Sequence, residues 1–199
     1  MSRKEKSDLA IANYSKIIES NPKDYRAYNN RGNAYQQRGD YDLAIADYSK
    51  AIELNPSFDL CYINRGNTYQ KAGDYGQAIG DYDRAIAINP ANSMAWNNRG
   101  FVYMLMQKYD EAWKDLRKSI EINPNNIYAL NSVAEFYAAK NNAAAACKWL
   151  NKAIEKGYNN WGYIKTSDTY DNIRSSACFK KIITDLMGER RRTEGQGLS

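Results

Sequence analysis

The tripeptide Asn-Arg-Gly occurs three times, at Asn30 to Gly32, Asn64 to Gly66 and Asn98 to Gly100, each 34 residues after the last. Around each glycine the same frame recurs: Tyr28, Tyr62 and Trp96 before it; Tyr35, Tyr69 and Tyr103 after it; then Ala44, Ala78 and Ala112, Tyr48, Tyr82 and Leu116, Ala51, Ala85 and Ser119, and a closing Asn-Pro at Pro56, Pro90 and Pro124. A unit of this length cannot bury its apolar face alone, so copies must stack on one another. Residues 25–37 and 42–54 place apolar and small side chains at helical spacing on either side of Gly39-Asp40, which predicts two helices per unit. Gly32, Ala44 and Ala51 are small where two helix axes would cross, with Tyr and Ile filling the flanks.

This pattern resembles the tetratricopeptide family over roughly residues 8–156. The resemblance implies an all-α fold, a right-handed α-solenoid of antiparallel helix pairs. The expected organisation is an incomplete repeat at 7–23, repeats at 24–58, 59–92 and 93–126, a divergent repeat at 127–160, a helical cap at 161–188 and a disordered tail at 189–199. The divergent repeat has Ala134 for the glycine and Asn141-Asn142 for Gly-Asp. The cap has no 34-residue register but carries Trp161, Tyr163, Ile164, Tyr170, Ile173, Phe179, Ile182, Ile183 and Leu186 at helical intervals. At the start, residues 8–22 match residues 42–56 at twelve of fifteen positions, a second helix without its first. Its stripe of Leu9, Ile11, Ile17 and Ile18 invites self-association, so a homo-oligomer is the alternative reading to peptide binding.

The chain contains no histidine, which removes the usual general base and the commonest zinc ligand. No catalytic residue, cofactor or metal site is expected. Cys61, Cys147 and Cys178 are odd in number and sit in amphipathic segments, reading as reduced, packed thiols of a cytoplasmic protein. The net charge of +5 is concentrated partly at the two ends, leaving a nearly neutral body, so nucleic acid is not an expected partner. No apolar run approaches the ~20 residues of a membrane span.

Two sets of polar residues recur with the repeat. Arg31, Arg65 and Arg99 are each followed sixteen residues later by Asp47, Asp81 and Asp115, and both members vanish together in the divergent repeat, which predicts structural salt bridges within each repeat. The second set is Asn30, Asn64 and Asn98, with Asn33 and Asn67. In the family such first-helix positions line a concave groove, and amides there can pair with the backbone of an extended peptide. Further along, Leu60, Ile63, Met94, Phe101, Met104, Leu105 and Tyr128 replace polar counterparts. They offer an apolar anchor site, unless the C-terminal segment folds over them or they are repeat core. Asn29, Met94 and Asn98 stand where some family members carry cations for a chaperone's terminal carboxylate, so that partner is not expected.

Overall fold

The computed structural model describes residues 2–185; the expected tail, and Leu186 of the expected cap, lie outside them. Among the described residues the chain is helical throughout. The elements are α1 (Arg3–Ser20), α2 (Tyr25–Arg38), α3 (Tyr41–Leu54), α4 (Asp59–Ala72), α5 (Tyr75–Ile88), α6 (Ser93–Leu105), α7 (Tyr109–Ile122), α8 (Ile127–Ala139), α9 (Ala143–Glu155) and α10 (Trp161–Thr166). A 3-10 helix (Asp168–Ile173) and α11 at 177–185 complete the order. No helix among the described residues is long and apolar enough to cross a membrane.

Helix ends are set by the repeated polar and glycine positions. Asp24 accepts from the backbone N–H of Arg26 and Ala27, Asp74 from Gln77 and Asn92 from Met94, satisfying first-turn donors. At the other end Gly39 and Gly73 adopt left-handed conformations with φ of 95° and 85° and close α2 and α4. Gln107 and Asn141 hold the equivalent positions with φ of 60° and 54°, although neither is glycine.

The chain divides into two compact units, one ending at Gln107 and one beginning at Lys108. In the first, α1 to α6 pack in succession, and consecutive helices run antiparallel. Ala44, Tyr48 and Ala51 on α3 and Ala78, Tyr82 and Ala85 on α5 are wholly buried. Each tyrosine ring lies on a glycine of the preceding helix: a Cβ on Gly32 would come within 2.8 Å of Tyr48 Cε1, and one on Gly66 within 2.8 Å of Tyr82 Cε1. Glycine here provides space for the ring rather than backbone freedom.

In the second unit α8 and α9 form an antiparallel pair against α7, and α8 also packs against the 3-10 helix. Leu130, Ala134, Leu150, Ile164, Tyr170, Ile173 and Phe179 belong to one buried cluster, so the segment after α9 is continuous with the core of the last repeat. The structure corrects one expectation. Cys147 on α9 and Cys178 on α11 form a disulfide, with Cα atoms 6.1 Å apart, within the range such bonds require. They are not two reduced packing thiols. The odd count of three resolves into one pair and the buried free Cys61, whose thiol burial pushes up to about 12. With that pairing the cysteines no longer point to a reducing compartment.

Candidate functional site

Helices α2, α4 and α6 lie side by side in the first unit and carry the recurrent asparagines. The asparagines are stitched to one another. Asn64 Nδ2 donates to Asn29 Oδ1 at 3.0 Å, Asn29 Nδ2 to Asn30 Oδ1 at 3.2 Å, and Asn98 Nδ2 to Asn67 Oδ1 at 2.8 Å. The Tyr48 hydroxyl donates to Asn33 Oδ1 and the Tyr82 hydroxyl to Asn67 Oδ1, each at 2.8 Å. Internal bonds therefore consume mainly the carbonyl ends. Among the described residues, the amide N–H groups of Asn30, Asn33 and Asn67 and the Oδ1 of Asn64 have no partner. The surface that remains is rich in donors and poor in acceptors, which suits the carbonyls and carboxylates of a bound chain.

The asparagine row read from the sequence left out two members of this lattice, Asn29, named there only as standing where other members carry a cation, and Asn97, both buried. Asn97 Nδ2 donates to Asn98 Oδ1, while Asn97 Oδ1 has no partner, an orphan acceptor of the kind that marks a place for water or ligand. The repeated Asn-Asn dipeptides at 29–30 and 97–98 were the available signal. Next to the amides lie exposed Leu60, Met94 and Leu105, with Met94 at 45% exposure and Phe101 half-buried, whereas Ile63 and Met104 are buried core.

Arg31 chelates Asp47 through Nε and Nη2, both at 2.7 Å, and Arg65 chelates Asp81 at 2.8 and 2.7 Å. Hydrogen bonding to the carboxylate raises both guanidinium groups above their ordinary value. Each guanidinium also lies over two aromatic rings, Tyr28 and Tyr35 for Arg31 and Tyr62 and Tyr69 for Arg65, while Arg99 lies over Trp96 and Tyr103. The remaining nitrogen reaches the preceding repeat: Arg31 to Ser15, Arg65 to Ser49 and Arg99 to Asp83. Arg31 and Arg65 thus bind within a repeat and across repeats at once, and they are occupied by structure rather than presented to a ligand.

In the second unit the same face is filled. Glu135 takes the position of Asn33 and Asn67, and Asn131 that of Asn29 and Asn97. Glu135 accepts from Asn131 Nδ2 at 3.0 Å, from Thr169 Oγ1 at 2.8 Å and from the Tyr163 hydroxyl, while the Tyr170 hydroxyl donates to Asn131 Oδ1 at 2.8 Å. The returning chain covers these α8 positions. Burial pushes the Glu135 carboxyl up to about 7 despite its three donors. Tyr128, at the start of α8, remains 65% exposed and meets Tyr158 edge to face.

Helix α1 packs on α2 and buries Ser7 and Ile18. Its counterparts of the wholly buried Ala44, Tyr48 and Ala51 are Ala10 and Tyr14, only half-buried, and Ile17, 41% exposed. Leu9 is also exposed and Ile11 half-buried, so the expected stripe is split, Ile18 facing inward.

A fold of stacked antiparallel helix pairs, with polar side chains along a row of first helices, defines a helical-repeat protein of the interaction class. The tetratricopeptide repeat profile matches residues 25–58, 60–92 and 93–126, and the chain belongs to that family. Among curated proteins no sequence matches significantly. Among solved structures, the crystal structure of MamA is 29% identical, covering 75% of this chain and 88% of that one, with a TM-score of 0.64. The first tetratricopeptide domain of Spaghetti (RPAP3), bound to the HSP90 peptide SRMEEVD, is 30% identical over 58% of this chain and 92% of that one, with a TM-score of 0.55. The Cut9 and Hcn1 hetero-tetramer of the APC/C matches in fold, with a TM-score of 0.79 at 17% identity, covering 93% of this chain and 36% of that one.

Proposed function

We propose that the row of first helices α2, α4 and α6 holds an extended segment of a partner protein. The observation that carries this reading is the set of unpartnered amide N–H groups on Asn30, Asn33 and Asn67, lying beside exposed Leu60, Met94 and Leu105. Amide donors register the peptide backbone, and the apolar side chains take an anchor residue, whose burial contributes about 1.5 to 3 kcal/mol. The peptide-bound RPAP3 domain supports the reading by similarity. Phe101 joins the proposed contacts on α6, and Tyr128 is a proposed contact of its own on the second unit.

The test is to pan a peptide phage library against the full chain and measure the enriched peptides by fluorescence anisotropy. Met94→Glu and the pair Asn30→Ala and Asn67→Ala are expected to weaken binding by about tenfold or more, as loss of an anchor pocket or of two polar contacts does. Affinity unchanged in all of them would rule out the groove as the binding face.

A second reading rests on a separate observation, the exposed Leu9 and Ile17 beside half-buried Ala10 and Tyr14, where a first helix sits in every complete repeat. Self-association through α1 is expected to show as a mass that rises with concentration in light scattering and falls to the monomer in Ile17→Asp.

A further inference from the structure

The first turn of α1 has no counterpart in the other second helices. In repeat register Ser7 aligns with Tyr41, where α3 begins, yet α1 starts at Arg3, four residues earlier. The additional turn is held by a reciprocal cap, Ser2 Oγ accepting from the Glu5 N–H and Glu5 accepting in return from the Ser2 N–H. It runs alongside the end of α2, where Arg3, Lys4, Gln37, Arg38 and Asp40 line a cavity of about 660 Å3. The end of α4 adjoins the same place: Lys71 Nζ donates to Gln36 Oε1 at 3.1 Å. Burial, and then the charge of Arg3, hold the Lys71 ammonium below its ordinary value.

The charges here are unevenly matched. Arg38 is bound by both Asp8 and Asp40, and Glu5 serves the cap, so the nearby carboxylates are engaged. Among the described residues, Arg3, Lys4 and Lys71 have no ion-pair partner. Lys71 is an exposed ammonium that feels the like charge of Arg3, an arrangement that a bound anion relieves. The positive end of an 18-residue helix adds to the same field. Beyond it the asparagine row offers more unpartnered donors than acceptors, so that part of the groove also favours acceptors on a ligand.

We infer that this end of the groove takes the carboxylates of an acidic stretch in the partner peptide, held by Arg3, Lys4 and Lys71. The inference rests on the groove reading and sharpens it: the ligand is a peptide with an apolar anchor for the α6 end and Asp or Glu residues for the α1 end. These cations lie at positions other than Asn29, Met94 and Asn98, so the carboxylate contacts are made at the rim.

The experiment uses the full chain and the panned peptides. Enriched sequences are expected to be rich in Asp and Glu on one side of an apolar residue. The triple variant Arg3→Glu, Lys4→Glu and Lys71→Glu is expected to weaken them by about tenfold to a hundredfold near 0.15 M salt, the effect shrinking as salt rises. Circular dichroism checks that the variant keeps its helix content, as substitutions at solvated positions do. Peptides that depend on Met94 but are not acidic and ignore the charge reversal would overturn this inference and leave the groove standing. Peptides indifferent to both Met94 and the cations would overturn both. Tighter binding of a single-stranded oligothymidylate than of the acidic peptides would show the cations to serve a nucleic acid and would also overturn it.

Discussion

The first-helix faces of the two units use the same register positions to opposite ends. In the first unit Asn33 and Asn67 accept from Tyr48 and Tyr82 and keep their N–H groups free. In the second, Glu135 stands at that position and is buried under Tyr163 and Thr169 of the chain's own continuation. One face is the proposed ligand site, and the other shows how this fold receives a returning segment, through hydroxyl donors on α10 and the 3-10 helix. The difference lies in the segment that comes after each helix row, not in the repeat frame itself.

The cost of closing the second face sets the largest expected effects. Replacing Cys147 and Cys178 by alanine is expected to destabilise the second unit by about 3 kcal/mol, since the bond closes a loop of 31 residues. Hydrogen exchange should then accelerate in α8 and α9 and stay unchanged in α2 to α5. Equal acceleration in both units would contradict the separation drawn here.

Glu135 gives the comparison a pH dependence. Its carboxyl ionises near pH 4.5 when unfolded and at about 7 when folded, so the folded form is favoured below 4.5 and loses that advantage between 4.5 and 7. The loss amounts to about 3 kcal/mol. Glu135→Gln is expected to flatten this part of the stability profile in denaturant titrations at a series of pH values. A variant profile as steep as the wild type would assign the slope to another group.

The helix crossings differ between units in a matched pair of residues. Gly32 and Gly66 face the rings of Tyr48 and Tyr82, whereas Ala134 shares its buried cluster with the smaller Leu150 at the equivalent position. Gly66→Ala is expected to cost about 1 to 3 kcal/mol by overpacking. Adding Tyr82→Leu should recover part of that loss, and a double-mutant cycle with no coupling would break the pairing. The smallest expected effect is at Gln107, where glycine in place of a left-handed glutamine should raise stability by about 1 kcal/mol in thermal melts, matching Gly39 and Gly73.

How far the sequence foretold this obeys the same division. The helix pairs of 25–122 were legible because Asn-Arg-Gly, the small residues and Asn-Pro recur in a fixed register, and each has a local cause in crossing, capping or termination. The arginine and aspartate couples were legible at Arg31 and Arg65 because both members recur together, but the third contact to Ser15, Ser49 or Asp83 was not, since those residue types differ between repeats. The Cys147 to Cys178 bond and the Glu135 network depend on a fold-back that has no register to read. For the asparagines, residue type announced both donor and acceptor capacity; only geometry showed which half the protein uses internally.

If the first unit's face is the one that receives another chain, binding must leave its mark there. Hydrogen exchange of the full protein, with and without a panned peptide at saturating concentration, tests this most directly. Protection gained along α2, α4 and α6, with α10 and the part of α8 beyond the turn that carries Tyr128 unchanged, is the predicted result. Protection confined to α8 and α10, or to α1 alone, would contradict it.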